Sequence, residues 1–263
     1  MEELQRFSLT GKVALIAGGG GGIGSRAARA LAGVGAKVTL VGRASGPERL
    51  REAAEAVEKA GSEALVYAGD MTAKADADEA VRQTLERFGR IDVVVNAIGG
   101  GAGTALYPAE DYPQQEWARI LDLNLTTSLL VSQAAARAMI AAGRGGSILN
   151  ISSVRGQLGI NAGYSAYVAA KGAINALTRQ HATEWARYGI RVNALAPTFV
   201  RTEQAASLLA DQTFHDSLVA RIPLHRIADT DDLVGTVLYF CSDASSFVTG
   251  QLLTIDGGLT ATQ

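Results

Sequence analysis

Residues 17–24 read Ala-Gly-Gly-Gly-Gly-Gly-Ile-Gly, set between the apolar run Lys12-Val-Ala-Leu-Ile16 and a helix-patterned stretch from Ser25 to Gly33. A strand that ends in glycine and reopens as a helix makes a turn with no side chains in the way. Glycine tolerates positive φ and carries no Cβ, so such a turn can present bare N–H groups and a helix N-terminus to an anion such as a pyrophosphate. A second strand pattern, Lys37-Val-Thr-Leu-Val41, follows at βαβ distance, which separates this turn from a flexible glycine linker. The stretch reads as a dinucleotide pocket at the first βα turn.

Outward from it, short β-branched runs alternate with amphipathic helical stretches, the pattern of a parallel sheet covered on both faces. Strands are predicted at 13–17, 38–41, 64–67, 93–96, 147–152, 191–196 and 252–255. Helices are predicted at 23–33, 47–60, 74–88, 113–142 with a break near Asn124, 164–187 and 229–241. The fold class is therefore α/β, a Rossmann-type doubly wound parallel sheet of about seven strands, with 1–263 forming a single domain. Stretch 198–225, bracketed by Pro197 and Pro223, lacks a strand pattern and is expected to form a mobile helical flap over a substrate. Ligands of such sheets gather at the carboxyl ends of the strands. Gly18 to Gly24, Gly42 and Arg43, Asp70, Asn96 to Gly99, Ser152 and Ser153, and Pro197 to Thr202 all fall there.

Composition narrows the function classes. With 48% hydrophobic and 19% charged residues, the chain can bury a substantial core. A net charge of −2 and the absence of a Lys/Arg cluster argue against a nucleic-acid or acidic-membrane surface. Cys241 is the only cysteine, and no Cys, His or acid set has metal-ligand spacing, so neither an internal disulfide nor a catalytic metal is expected. The N-terminus is charged and polar rather than a signal segment, and no uninterrupted apolar stretch approaches about 18 residues. A cytoplasmic protein is expected.

Tyr167 and Lys171 stand four apart in Tyr-Val-Ala-Ala-Lys, on one face of a predicted helix. An ammonium beside a phenol stabilises the phenolate and draws its pKa toward the working range, so Tyr167 could give or take a proton. These features, taken in order, resemble the classical short-chain dehydrogenases/reductases over nearly the whole chain. Gly18, Gly22 and Gly24 match that family's Thr-Gly-x-x-x-Gly-x-Gly loop, with Ala17 in the Thr place. Ile-Asp-Val-Val-Val-Asn-Ala-Ile-Gly (91–99) is similar to the segment that usually ends Asn-Asn-Ala-Gly. Leu-Asp-Leu-Asn-Leu (121–125) carries the helix Asn at Asn124. Asn-Ile-Ser-Ser-Val (150–154) resembles the catalytic-Ser strand, and Arg-Val-Asn-Ala-Leu-Ala-Pro (191–197) the late strand.

The resemblance implies an oxidoreductase that interconverts a carbonyl and a secondary alcohol. Tyr167 is implied as general acid and base, Ser153 as hydrogen-bond donor to the substrate oxygen, with Ser152 as the competing serine. Lys171 is implied as holder of the nicotinamide ribose and Asn124 as anchor of a water leading to Lys171. Gly18, Gly22, Ile23, Gly24, Arg43, Asp70, Met71, Asn96, Gly99, Tyr167, Lys171, Pro197, Val200 and Thr202 are implied as the cofactor surface. Gly42 stands where NAD-preferring members place an acid and Arg43 where NADP-preferring members place a base, which favours NADP(H) over the alternative NAD(H). Asp70 has a second reading, as a turn or N-cap residue before the helix at 74.

Four departures from the family stand out. The Ser153 to Tyr167 spacing is one residue longer than usual, which places an insertion in loop 155–163 at the pocket mouth. Ala97 replaces the second Asn, Gly100 to Gly103 extend that loop, and Thr198 replaces a Gly. Substrate candidates are Ser153, Arg155, Gln157 and Phe199, with Glu203, Gln204, His215 and Phe214 nearby. Arg155 is either a carboxylate-binding residue or a surface arginine. Residues 191–202 and 252–258 look closest to sugar-acid or polyol dehydrogenases and 3-oxoacyl-thioester reductases of the family. A homotetramer or homodimer is implied, through helix 164–187 and tail 252–263. The rival from another class is a non-catalytic NADP(H)-binding sensor or assembly subunit.

Overall fold

The computed structural model describes residues 2–43, 46–101 and 104–261. Ala102 and Gly103, in the expected glycine extension, lie outside the described residues. Chain order begins with a short helix α1 (Glu2–Gln5), followed by β1 (Val13–Ala17), α2 (Gly22–Gly33), β2 (Lys37–Gly42), α3 (Pro47–Lys59), β3 (Ala64–Ala68), α4 (Lys74–Phe88) and β4 (Val93–Asn96). The second half runs α5 (Gln114–Leu121), α6 (Thr127–Ala142), β5 (Gly146–Ile151), α7 (Ser165–Trp185), β6 (Ile190–Pro197), α8 (Glu203–Leu209), α9 (Gln212–Arg221), α10 (Val234–Cys241) and β7 (Leu252–Ile255). All seven strands pair in parallel in the order β3-β2-β1-β4-β5-β6-β7.

Strand alternation sorts the core into two layers. Ala14 and Ile16 of β1, with Val93 and Val95 of β4, face α2, α3 and α10. Leu15 and Ala17 of β1, with Val94 of β4, face α4, α6 and α7 on the opposite side. Successive side chains of a strand point to opposite faces, so a strand buried on both must be apolar throughout, as β1 is.

The order places the reversal between β1 and β4, with β2 and β3 on one side and β5 to β7 on the other. That is the topological switch point, where the crevice opens. The expected break in the long helix is a π-turn, Asp122–Thr126, between α5 and α6. The whole run, Gln114–Ala142, is long and apolar enough to cross a membrane by length and composition. Here Val131, Ala134, Ala135 and Met139 of α6 pack into the core against the sheet. Within 198–225 the chain folds as α8 and α9, the helical content expected of the flap.

Candidate active site

The glycine turn is shaped by contacts that exclude a Cβ. Gly18 sits at φ +89°, where a Cβ would lie 2.7 Å from the Ala97 carbonyl carbon across the switch point. At Gly24 it would collide with the Gly18 carbonyl oxygen, and at Gly22 it would lie 2.8 Å from Thr202 Cγ2 on the far side of the crevice. The turn is held by Gly18 and Gly19 N–H groups donating to Val41 O, at 2.8 and 3.0 Å. Gly21 caps α2 without a side-chain acceptor. The N–H groups of Gly22, Ile23 and Gly24 therefore begin a helix with no carbonyl preceding them in register, a cradle for an anion.

Beyond the turn lies a cavity of about 250 Å³ whose wall includes Ile23, Gly99, Ser153, Arg155, Tyr167, Lys171, Phe199 and Thr202. Ser153 follows β5 and caps the short turn Val154–Gly156, its Oγ accepting from Arg155 N–H at 3.1 Å. The same hydroxyl stands beside Tyr167 on the cavity wall. Ser152 points elsewhere, donating to Asn175 Oδ1 at 2.5 Å and Lys171 O at 3.3 Å, so the geometry singles out Ser153 as the serine beside the tyrosine. Lys171, one helical turn from Tyr167 on α7, is buried and donates from Nζ to Ile151 O at 2.9 Å.

The electrostatics differ from the expectation that Lys171 draws the Tyr167 pKa down. Burial, and to a lesser degree Tyr164, push the Tyr167 hydroxyl up, and the groups that pull it back are the Ser153 hydroxyl and the Arg155 charge. Lys171 Nζ lies 5.6 Å from the Tyr167 ring centroid and is directed at a backbone carbonyl. Burial itself lowers Lys171 to about 8.

Asn124 lies in the π-turn and is fully buried. Its side chain accepts from Gly100 N–H at 3.1 Å and donates to Gly100 O and Ile120 O at 3.0 and 2.9 Å. It thereby clamps the loop after β4. A Cβ on Gly99 would lie 2.9 Å from Asn124 Oδ1 and 3.1 Å from Lys171 Nζ, so a glycine lets these groups converge. A π-turn shifts the helical ladder, which is why such turns recur at functional positions.

Several expected site residues are placed differently. Asn96 is buried away from the cavity wall, its amide donating to Ser132 Oγ and Asn150 Oδ1, each at 2.8 Å; it ties β4 to β5 and α6. Met71 is buried in the core beneath α4 and α6. Gln157 is exposed and donates to Thr254 Oγ1 at 2.9 Å, outside the wall, because the loop after Gly156 turns outward. Arg155 is 6% exposed and lines the cavity, which replaces the surface-arginine alternative. Asp70 makes the turn that was its second reading, accepting from Thr72 N–H at 3.0 Å and Thr72 Oγ1 at 2.8 Å. The Thr72 bonds and the Arg43 charge hold its carboxyl below the usual range.

Pro197, Val200 and Thr202 form the wall after β6, and Thr198 Oγ1 there is buried with no hydrogen-bond partner. Glu203 is not in the wall; it pairs with Arg49 at 2.6 Å. A Cβ on Gly20 would lie 3.2 Å from Arg49 Cβ, so Arg49 is a second cation beside the glycine turn. Reading Arg49 as a helix-surface residue misses it. Its position in the first turn of α3, beside the expected phosphate loop, is the signal that could have found it. Gln204 and Tyr164 also line the cavity. The anion cradle, the orphaned Thr198 hydroxyl and the Arg43 charge all fit a nicotinamide dinucleotide.

Comparison with known proteins agrees. A family model described as Enoyl-(Acyl carrier protein) reductase matches residues 18–260. The gluconate 5-dehydrogenase of Gluconobacter oxydans is 38% identical, over 97% of this chain and 96% of that protein. The crystal structure of a short-chain type dehydrogenase/reductase from Mycobacterium marinum superposes with a TM-score of 0.91 at 35% identity, covering 99% of this chain and 100% of that one. The crystal structure of a gluconate 5-dehydrogenase from Burkholderia cenocepacia, in complex with NADP and tartrate, gives 0.91 at 37% identity and covers 99% of each chain. The seven-stranded parallel sheet, the glycine turn at its switch point and the Ser153, Tyr167 and Lys171 cluster thus occur in a chain that belongs to the classical short-chain dehydrogenase/reductase family.

Proposed function

We propose that this protein is an NADP(H)-preferring oxidoreductase that interconverts the ketone and secondary alcohol of a small keto-sugar acid. The observation that carries the reading is that Ser153, Tyr167 and Lys171 line one cavity, bounded on another side by Ile23 of the glycine turn. The gluconate 5-dehydrogenases at 37–38% identity support the substrate class.

When bound, NADP(H) supplies or accepts the hydride. The N-terminus of α2 would hold its pyrophosphate, Arg43 the 2′-phosphate, Lys171 the nicotinamide ribose, and Val200 with Thr202 the carboxamide. In reduction the Tyr167 hydroxyl donates its proton to the substrate oxygen as that oxygen gains charge; in oxidation the phenolate takes it back. Ser153 Oγ donates to the same oxygen, where the developing charge is greatest. Asn124 acts as a positioning residue, holding Gly99 to Gly101 against Lys171. Chain 1–263 works as one catalytic domain with 198–225 as its substrate flap. Dimerisation or tetramerisation uses α7 and the tail 252–263, where Leu253 of the edge strand β7 is 40% exposed. The setting is cytoplasmic.

Turnover of NADPH with a panel of short keto-sugar acids, followed at the nicotinamide absorbance band, tests this. An acetoacetyl thioester serves as the competing substrate. Tyr167→Phe is expected to lower kcat by about 10²- to 10⁴-fold, with NADPH fluorescence showing whether the variant still binds cofactor. Wild type that binds NADPH and shows no Tyr167-dependent turnover of any carbonyl would overturn the proposal in favour of a non-catalytic binding protein.

A further inference from the structure

Among the described residues, the cavity wall carries two cations, Arg155 and Lys171, and no acidic residue. Lys171 is engaged by the Ile151 carbonyl and faces Gly99. Arg155 has a different environment. The residue is 6% exposed, yet among the described residues the one acceptor of its guanidinium is Gly159 O, 3.2 Å from Nη1, which leaves most of its donors without a partner there. The charged side chain that acts on it is another cation, Arg221 at the end of α9, and no ion pair forms at either arginine among the described residues. A buried charge without a counter-ion is costly, and a neighbouring like charge adds to that cost.

Next to Arg155 is Tyr164. Its ring meets that of Tyr167 edge-on, with centroids 6.4 Å apart, and it lines the same cavity. Among the described residues its hydroxyl has no hydrogen-bond partner, and the Arg155 charge acts on both tyrosines. A guanidinium offering a fork of donors beside an unused phenol is a matched receptor for a carboxylate, which has two oxygens and four acceptor sites.

We infer that Arg155 and Tyr164 form the carboxylate subsite of this cavity and set its specificity for hydroxy and keto acids over neutral polyols and ketones. The inference rests on the carbonyl–alcohol reading of the Tyr167 site. Binding the acid group here supplies the missing counter-ion and orients the chain so that its keto carbon lies at Tyr167 and Ser153.

The test uses the full chain with a panel of three- to six-carbon hydroxy acids, D-gluconate among them, each paired with its neutral amide. Two readouts are taken: kcat/KM with NADP⁺, and the rise in melting temperature with saturating ligand. Wild type should favour each accepted acid over its amide by about 10- to 100-fold, the range of a charge-assisted hydrogen-bond pair. Arg155→Met should bring that ratio toward one, chiefly through KM, and Arg155→Lys should keep part of it. Tyr164→Phe, a milder change, should lower the ratio several-fold, so the inference stays testable if Arg155→Met does not fold. A wild-type enzyme that uses acids and amides equally, or an Arg155→Met variant that keeps the preference, overturns the carboxylate subsite while leaving the Tyr167 reading intact. Absence of Tyr167-dependent turnover overturns the activity instead, and the melting readout still decides whether acids bind through Arg155.

Discussion

Replacing Lys171 by Met should change how stability depends on pH. Lys171 is 3% exposed and its Nζ is held by a single backbone carbonyl with no carboxylate, so burial holds its pKa at about 8 against an ordinary 10.5. A base with a depressed pKa gives up its proton more readily in the folded state. Between about pH 8 and 10.5 the unfolded chain therefore binds more protons, and the free energy of unfolding rises with pH through that window. A difference of 2.5 pKa units, 10.5 minus 8, corresponds to about 3 kcal/mol, the cost carried below pH 8 by keeping the ammonium buried. Methionine removes the titration and also the bond to Ile151 O, the second effect being a constant offset. Urea unfolding of the cofactor-free protein at pH 7, 8, 9 and 10, at one protein concentration, measures both. The stability of wild type minus that of Lys171→Met should climb by roughly 2–3 kcal/mol from pH 7 to pH 10. A flat or falling difference would refute the assignment of a desolvated, unpaired lysine.

Two alanines in one helix separate packing from propensity. Gly24→Ala places its methyl against the Gly18 carbonyl and should cost about 1–3 kcal/mol in urea unfolding and weaken NADPH binding, whereas Gly33→Ala, with open space around its Cβ, should stabilise by up to about 1 kcal/mol; equal effects would contradict the close approach at Gly24. Arg43→Ala should lower the preference for NADPH over NADH by about 10- to 100-fold in fluorescence titrations, and an unchanged preference would remove Arg43 from the 2′-phosphate site. Ser153→Ala should lower kcat by about 10²- to 10³-fold, while Ser152→Ala, which cuts the bond to Asn175, should act mainly on melting temperature; the reverse would exchange their roles. Asn124→Ala leaves Gly100 N–H and two carbonyls unpaired and should destabilise by a few kcal/mol, seen as a lower urea midpoint.

What was legible locally was the sheet and the chemistry that repeats along it. β1 and β4 read as strands because strands covered on both faces must be apolar at every position, as Val13–Ala17 and Val93–Asn96 nearly are. The glycine spacing, the Tyr167–Lys171 pair and the break near Asn124 are likewise properties of short stretches of chain. The placements that were not legible turn on the direction of a side chain. Asn96 and Met71 stand at the strand ends where ligands gather, yet the alternation of the sheet and the packing of α6 take both inward. Gln157 is two residues from Arg155, but the turn Val154–Gly156 sends one outward to β7 and the other into the cavity.

The amino-acid sequence by itself determined the parallel α/β sheet and singled out the glycine turn and the Tyr167–Lys171 pair, because each rests on residue type and on spacing within one or two elements. Only the tertiary structure decided which cations count. Arg155 became a buried charge without an ion pair among the described residues when helix α9 brought Arg221 rather than an acid to its side, and Arg49 came to the glycine turn through the packing of α3. Burial and counter-ions are set by residues distant along the chain, so the Tyr167 hydroxyl feels its own burial, Ser153, Tyr164 and Arg155 as well as the lysine one turn away.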